Sequence, residues 1–484
     1  MPAMKHTGGR GTRRALLAIG VAVTTLTASC ANEVEGELRS EGDIAGLPIT
    51  HFESGLKASA PQPQLNVENL TQSEEDRLAV ASIADVSEFW QEQFPNHFNA
   101  EFQPVSKLMS YDPNTDNFEV CGATVEEVAM NAFYCPSEDL VAWDRGILLP
   151  LLRERFGPMA VVTVLGHEFG HAVQYRLGEQ SGIDEQTPTI VKEQQADCFT
   201  GAYFRWIAEG HSEYFEVSTS EGLNQVLASL FFIRDAPGHS AAADGAHGTA
   251  FDRTYAFQLG FENDATKCAA IDLADIESRI TERPFSPNDT NEGDLSINAD
   301  TLGLLQMSLD DSFSEAGVPS PQIVAEGGSC PNGAATPPVS YCQDTNTVTV
   351  DMTALAELGQ PIDREAELTG QEGGGLGDFA AFAEVVSRYV QGIQVGLGIP
   401  VDNANAGLRT ACLVGAWTAA IDQEGALLRP SPGDLDEAIA ELLLPRSLIA
   451  ADINGHPAVN GFARIGALRQ GYFNGSGACS SEYP

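Results

Sequence analysis

The sequence predicts an α+β protein, mainly helical with a small sheet, in which one domain occurs twice in tandem. Apolar residues recur at helical spacing over 79–94 and 156–178, whereas shorter apolar runs at 101–109, 118–123 and 140–144 are typical of strands. Four segments of the front half also recur in the same order in the back half. Periodicity therefore predicts the kinds of elements, and recurrence predicts how they are grouped.

The internal repeat sets the domain boundaries. The matching segments are 133–144 with 340–351, 156–178 with 376–398, 195–207 with 409–421, and 250–261 with 461–472. Four matches in one order indicate two copies of a domain, over 73–275 and 297–484, joined by a polar linker over 276–296. Each copy is long enough to have a full core, and we expect the two copies to pair with each other.

The charge of the chain limits its partners. The 484 residues carry a formal net charge of −42, and the pI is near 4.3. This balance argues against binding to nucleic acid and against charge-driven binding to anionic membranes. The acidic stretch DTNEGD at 289–294 has its glycine at the wrong position for a calcium loop, so we expect it to be solvated.

The N-terminal residues have the features of an export signal over 1–30. A basic segment and a short apolar stretch are followed by small residues before Cys30, as at a bacterial lipidation site. Lipid attachment at Cys30 and plain cleavage nearby are both compatible with this pattern, as are general secretion and the twin-arginine route. Residues 31–72 are polar and contain prolines, so we expect a flexible tether. The protein is then extracytoplasmic, either lipid-anchored to the outer face of the bacterial cell membrane or secreted, and the anchor is its only membrane contact.

The cysteines predict a disulfide framework. Apart from Cys30, eight of the nine cysteines remain, four in each copy, and an even number in an exported chain favours disulfides. The simplest pairing uses similar spacings in the two copies and joins Cys121 to Cys135, Cys198 to Cys268, Cys330 to Cys342, and Cys412 to Cys479.

The predicted helix at 156–178 carries His167, Glu168 and His171 within an otherwise apolar segment. Because the histidines are four residues apart, both imidazoles lie on one face of the helix. Burying these groups is costly unless something pairs them, and a zinc ion does so. His-Glu-x-x-His on a helix is the spacing of two zinc ligands and a general base, here Glu168. Two core histidines without a metal are the alternative.

A catalytic zinc site needs a third protein ligand and one open position. Glu193, on the next predicted helix at 189–208, is the expected third ligand, and a solvated carboxylate is the alternative. Asp197, one turn later, can accept a hydrogen bond from a ligand imidazole and fix its tautomer. The sequence therefore predicts one Zn²⁺ in the first domain.

The second copy has lost every residue of this predicted site. The positions opposite His167, Glu168, His171, Glu193 and Asp197 hold Ser387, Arg388, Gln391, Gly407 and Ala411. We therefore expect the second copy to be structural or to dock substrate, without a metal of its own.

The same comparison sorts two further residues. Arg253 is retained as Arg464, which favours a role in the fold. His247 falls opposite Ala458, so it is a candidate for stabilising an oxyanion or contacting the metal's water, with a surface histidine as the alternative.

Three motifs of the first copy occur in one order: HEFGH at 167–171, EQQADCFTGAYF at 193–204 and HGTAFDR at 247–253. With these motifs the chain resembles the bacterial neutral zinc metallopeptidases. The resemblance implies zincin-like domains, with His167, His171 and Glu193 as zinc ligands and Glu168 as the base. We therefore expect zinc-dependent hydrolysis of peptide bonds, in a protein or peptide substrate that the resemblance does not identify, and the export signal places this activity at the cell envelope. The alternative is a catalytically inactive envelope lipoprotein that binds zinc or a partner, and a third alternative is a scaffold without metal.

Overall fold

The computed structural model describes residues 43–286, 293–333, 335–369 and 373–484. These residues belong to one compact unit that extends from Leu38 to Pro484. The predictions of an export signal over 1–30 and of lipidation at Cys30 lie outside the described residues. Among the described residues, no helix combines the length and the apolar character that a membrane span requires.

The fold is mixed, with many helices and small sheets, as the α+β prediction requires. The helices are α1 (Glu74–Phe98), α2 (Leu148–Phe156), α3 (Pro158–Leu177), α4 (Thr189–Ala208), α5 (Glu221–Phe232), α6 (Ala250–Glu262), α7 (Ala265–Ala269), α8 (Leu273–Arg279), α9 (Ala299–Ser312), α10 (Met352–Leu358), α11 (Arg364–Thr369), α12 (Asp378–Gly396), α13 (Ala406–Ile421), α14 (Asp434–Leu443) and α15 (Gly461–Glu482). The strands are β1 (Asp43–Ile44), β2 (Leu47–Pro48), β3 (Gly55–Leu56), β4 (Lys107–Tyr111), β5 (Glu119–Val120), β6 (Ala123–Thr124), β7 (Ala132–Cys135), β8 (Leu140–Asp144), β9 (Phe215–Glu216), β10 (Gln322–Val324), β11 (Val339–Cys342) and β12 (Thr347–Val350).

Each half contains a three-stranded sheet of the same topology. In the front half β8 is central, with β4 parallel to it and β7 antiparallel. In the back half β12 is central, with β10 parallel and β11 antiparallel. A long, largely buried helix follows each sheet, α3 in the front half and α12 in the back half.

Each half also contains a tightly packed pair of helices, α4 with α6 and α13 with α15. A Cβ atom on Gly201 of α4 or on Gly260 of α6 would overlap a carbonyl oxygen of the facing helix. The same holds for Gly415 of α13 and Gly471 of α15. Glycine at these positions lets the two helix backbones approach directly.

Disulfides crosslink both the three-stranded sheet and the glycine-packed helix pair of each half. The four disulfides join Cys121 to Cys135, Cys198 to Cys268, Cys330 to Cys342, and Cys412 to Cys479, the pairs expected from the cysteine spacing. In each half, one disulfide includes the last residue of a strand of the sheet, Cys135 or Cys342. The other includes a cysteine on a helix of the glycine-packed pair, Cys198 or Cys412. Each closes a loop of the unfolded chain, which stabilises the folded state by roughly 3–4 kcal/mol on the loop-entropy model.

The two halves share a core instead of burying one each. The main cluster of buried apolar side chains includes residues of both halves. Polar contacts reinforce the joint between α6 and the back half: the N–H of Phe251 donates to Asp436 (3.0 Å), and Gln258 donates to the carbonyl of Phe462 (2.6 Å). The buried guanidinium of Arg469 donates to the carbonyl of Phe251 (2.7 Å).

The expectation of a flexible tether over 31–72 is wrong for residues 43–72. Strand β3 pairs with β9, and Thr50 exchanges backbone and hydroxyl hydrogen bonds with Thr219. Ile44 is buried in the core, and the N–H of Glu68 donates to the carbonyl of Leu108 (2.8 Å). Backbone and hydroxyl groups make most of the contacts of this stretch. Such contacts require few apolar residues, so the sequence shows no apolar pattern that would predict an ordered segment.

The linker predicted over 276–296 is also shorter than expected. Arg279, in the last turn of α8, donates to Gln194 (3.0 Å), and Thr281 bonds the buried carboxylate of Asp252 through both its N–H and its hydroxyl. Residues 276–282 therefore belong to the front half, whereas Arg283 bonds Asp422 and the carbonyl of Pro430 in the back half.

The close approach of α4 and α6 gives a first testable prediction. Gly201→Ala should lower the free energy of unfolding by about 1–3 kcal/mol, because the added methyl group forces the two helices apart. Urea-induced unfolding followed by circular dichroism measures this change. The matched control is Gly303→Ala on exposed α9, where a Cβ atom meets nothing within 4 Å. This control should be neutral or stabilising by up to about 1 kcal/mol, and an equal loss in both variants would contradict the packing argument.

Candidate metal centre

Helix α3 brings His167, Glu168 and His171 into the interior of the front half. Gly157 at its N-terminus has φ +80°, and Pro158 occupies the first helical position, where its missing N–H costs nothing. The apolar residues from Met159 to Leu165 are buried and anchor the helix in the core. The polar residues therefore occupy fixed positions on a rigid element.

Helix α4 packs against α3 at the point where the histidines lie. Gly170, between the two histidines, faces Ala196 of α4 so closely that a Cβ atom on the glycine would lie 2.8 Å from the Ala196 Cα. This contact places Glu193, about one turn before Ala196, and Asp197, the residue after it, opposite the imidazoles. A larger residue at position 170 would separate the two groups of side chains.

His167, His171 and Glu193 form a group that could hold a metal ion. The Nε2 atom of His167 lies 3.0 Å from Glu193 Oε2, and the Nε2 atom of His171 lies 3.4 Å from Glu193 Oε1. Two ligands of one tetrahedral zinc ion lie about 3.3 Å apart, given zinc–ligand bonds of about 2.0–2.1 Å. The donor set, two imidazoles and one carboxylate, is also that of catalytic zinc sites, so these residues fit zinc.

A buried chain of charges orients His167. Its Nδ1 lies 2.8 Å from Asp197 Oδ1, so the imidazole donates to Asp197 and directs Nε2 towards Glu193. Arg253 of α6 holds the same carboxylate through two hydrogen bonds of 2.9 Å. Arg253, which the comparison of the two copies assigned to the fold, therefore also positions the metal site.

His171 is oriented by a residue that the sequence analysis missed. Its Nδ1 lies 3.0 Å from Oε1 of Gln174, one turn later on α3. Gln174 is itself fixed, because its amide nitrogen donates to the carbonyl of Lys192 at 2.6 Å. Spacing alone was a weak signal for it, since an i, i+3 glutamine on a helix is common.

The electrostatics of the three donors favour a cation between them. Burial acts to lower the pKa of His167, but the carboxylates of Asp197 and Glu193 outweigh it and raise that pKa to about 10. Burial acts to raise the pKa of Glu193, but His171 and His167 outweigh it and hold that pKa well below its usual range. Protons on the imidazoles or a metal ion can supply the positive charge, and the two compete.

Glu168 lies beside the group but contacts other partners. Its Oε2 accepts a hydrogen bond of 3.0 Å from the backbone N–H of Tyr134 on β7. Burial raises the pKa of Glu168, although His167 and His171 act in the opposite direction. The carboxyl group is therefore held next to the donors and is a stronger base than an exposed glutamate.

A cleft of ≈ 390 Å³ opens onto these residues. Its wall includes strand β7, the three metal donors and Glu168, and His247 lies at the same cleft. The His247 side chain is 47% exposed, and its Nδ1 lies 3.3 Å from Asp235 Oδ1. The structure thus places His247 near the site, outside the group of metal donors, and its predicted role stays a prediction.

In the back half, the region that corresponds to the group of metal donors is occupied by a buried arginine and a loop. Arg388 on α12 is fully buried and donates to the carbonyls of Leu448 (2.6 Å) and Asp452 (2.9 Å), while Gln391 donates to the carbonyl of Ala451 (2.9 Å). A Cβ atom on Gly407 would overlap the same loop. A guanidinium and a loop thus occupy the region where the front half has its donors.

The front half is thus a unit of helices and small sheets with a group of donors that could hold a metal ion, and comparison with known proteins points in the same direction. The sequence model of the family described as "Putative neutral zinc metallopeptidase" matches residues 40–271. Uncharacterized proteins from two strains of Mycobacterium tuberculosis and one of Mycobacterium bovis are 27% identical over 217 residues, which is 41% of this chain and 71% of theirs. No solved structure matches the chain.

The hydrogen bond from His167 to Asp197 gives the second prediction. Asp197→Asn keeps the size of the side chain but removes its charge, so zinc affinity should fall about 10–100-fold. Competition with a chromophoric chelator measures this affinity. Asp85→Asn is the matched control, because Asp85 is equally buried but bonds Tyr203 and Ser212, away from the donors. Equal zinc affinity in both variants would contradict the orienting role.

Proposed function

We propose that the front half is a zinc-dependent metalloendopeptidase of the His-Glu-x-x-His type, with glutamate as the third ligand. The observation that carries this proposal is the convergence of His167, His171 and Glu193, at the spacing of zinc ligands, beside a carboxyl group that is not itself a ligand. The family match over residues 40–271 supports the same activity.

His167, His171 and Glu193 would hold one zinc ion, with Asp197 and Gln174 fixing the two imidazoles. Zinc, when bound, polarises a scissile carbonyl and lowers the pKa of water. Glu168 accepts a proton from the attacking water and passes it to the leaving amine. Burial raises the pKa of Glu168, and a raised pKa makes the carboxylate a better proton acceptor than an exposed glutamate.

A peptide fits the cleft better than a compact substrate does. Strand β7 is the edge strand of its sheet and lines the cleft. The N–H of Tyr134 points away from β8 and towards Glu168. Alternate residues of a strand direct their backbone N–H and C=O groups to the same side, so those of Ala132 also point away from β8. An extended protein or peptide substrate can therefore add to β7 as another strand, which places its backbone next to Glu168.

We infer further that the back half is a degenerate copy of the front half that pairs with it within the chain. Its matching sheet topology, its two glycine-packed helices and its equivalent disulfides support duplication. Arg388 and Gln391, in place of a glutamate and a histidine, support the loss of zinc binding. The zincin-like description of both copies is part of this proposal.

We propose an extracytoplasmic location at the bacterial cell envelope. The four disulfides support it, because such bonds persist in oxidising compartments. In this proposal the segment 1–30 directs export, and either a lipid on Cys30 anchors the protein to the outer face of the membrane or the protein is secreted.

The third prediction tests the proposed activity. Glu168→Gln should reduce cleavage of an unfolded protein substrate by about 10²–10⁴-fold, because the general base is lost while the zinc ligands remain. Cleavage is followed by release of fluorescent peptides, and bound zinc is measured by elemental analysis.

The matched control for this experiment is Glu154→Gln, which changes an exposed carboxylate on α2 by the same two atoms. It should leave both cleavage and zinc content unchanged. Stoichiometric zinc without cleavage in the unaltered protein would favour a zinc-binding envelope protein that is not an enzyme. Protein without zinc would favour a scaffold.

A further inference from the structure

A second cluster of potential ligands lies in the back half, at the N-terminal end of α12. It contains Asp294 from the connection between the halves, Asp378 at the start of α12, and Glu437 of α14, and one oxygen of each lies within 4.8 Å of the others. Asp434, in the first turn of α14, adds a fourth carboxylate beside them. The expectation that 289–294 is solvated is therefore wrong for Asp294, which is half-buried here.

The carboxylates are held in place by backbone groups. Asp378 Oδ2 accepts from the N–H of Leu295 (3.2 Å), and Glu437 Oε2 accepts from the N–H of Phe379 (2.8 Å). Asp378 is only 4% exposed, and its second oxygen, Oδ1, is buried without a hydrogen-bond partner among the described residues. An oxygen buried this deeply needs a hydrogen-bond donor or a cation as its partner, and the described residues donate no hydrogen bond to it.

The described part of the chain supplies no such partner. None of its lysine, arginine or histidine side chains forms an ion pair with Asp378, Asp434 or Glu437; Arg283, the cation that acts on Asp434, is bonded to Asp422 at 3.1 Å. Burial and the charge of Asp294 together raise the pKa of Asp378 to about 6. Ionising this group is therefore costly unless a cation compensates it.

We propose that Asp294, Asp378 and Glu437, with Asp434 beside them, bind a calcium ion. Calcium takes six to eight oxygen ligands at about 2.3–2.6 Å, so two ligands of one ion lie up to roughly 5 Å apart, which agrees with the observed spacing. Zinc prefers nitrogen and sulfur, which this cluster lacks, and magnesium needs a smaller, near-ideal octahedron. The proposal is independent of the peptidase activity.

The equivalent corner of the front half has a neutral side chain where the back half has a carboxylate. The Glu437 carboxylate presses against Gly377 just before α12, so closely that a Cβ atom there would overlap it. Just before α3, the amide oxygen of Gln225 lies 3.2 Å from the position of a Cβ atom on Gly157. A neutral side chain therefore occupies the equivalent position in the front half, so packing there does not by itself require a carboxylate.

Calcium at this position would strengthen the joint between the halves. Its ligands come from the connection, from α12 and from α14. Asp436 of α14 accepts from the N–H of Phe251 and lies 3.6 Å from Arg234 of the front half. An ion that fixes the position of α14 therefore also stabilises the contact of Asp436 with Phe251 and Arg234.

The fourth prediction tests the site on the full chain, kept saturated with zinc throughout so that only calcium varies. Isothermal titration with CaCl₂ should show one site with a Kd of about 10⁻⁴–10⁻³ M, as in extracellular modules. Millimolar CaCl₂ should raise the Tm by several degrees, and MgCl₂ at the same concentration should raise it less.

Asp378→Asn and Glu437→Gln should abolish both the calcium uptake and the shift in Tm. Without added calcium, and with zinc still saturating, both variants should be at least as stable as the unaltered protein, because each removes a buried carboxyl group that neighbouring carboxylates repel. Asp344→Asn, an exposed carboxylate in the turn before β12, is the matched control and should keep the full shift. No calcium uptake by the unaltered protein, or equal shifts in Asp378→Asn and Asp344→Asn, would overturn the proposal.

Discussion

The front half depends on a line of alternating charges buried between three helices. It starts at Glu193, passes through His167 and Asp197, and ends at Arg253, so each group is flanked by the opposite charge. None of these groups would be stable alone in an interior this apolar. The glycine contact between α3 and α4 makes the line continuous, because it brings the two helices close enough for direct hydrogen bonds. The fold thus determines where a metal can bind, and the side chains determine which one.

The back half meets the same constraint by other means. Arg388 carries its own positive charge at the centre of α12, and the carbonyls of a neighbouring loop satisfy it. The carboxylate of Glu441, also fully buried, accepts the N–H groups of Leu448 and Ile449 in that loop. In the back half, a loop packs onto the guanidinium of Arg388 and satisfies it. In the front half, the equivalent region is an open cleft. The two halves show that this scaffold tolerates either solution.

The sequence predicted what depends on local spacing. The bounds of α4 and the cysteine pairs follow from helical periodicity and from repeated intervals. The approach of Glu193 to His167 was expected because a catalytic zinc needs a third protein ligand. Long-range hydrogen bonds could not be predicted in this way. Comparison of the copies assigned Arg253 to the fold because Arg464 replaces it, yet Arg464 binds only carbonyl groups of its own half. Residues 43–72 have the composition of a tether, because backbone pairing with a distant strand leaves no mark on composition.

The shared core has a consequence for how the two halves can evolve. When two halves bury their apolar surface against each other, cooperative unfolding belongs to the chain as a whole. A substitution at Phe462 or Trp417 then weakens the cleft in the front half as surely as one beside it, although neither residue meets a ligand there. If the back half is a degenerate copy, as proposed above, selection for the activity of the front half also preserves the fold of the back half.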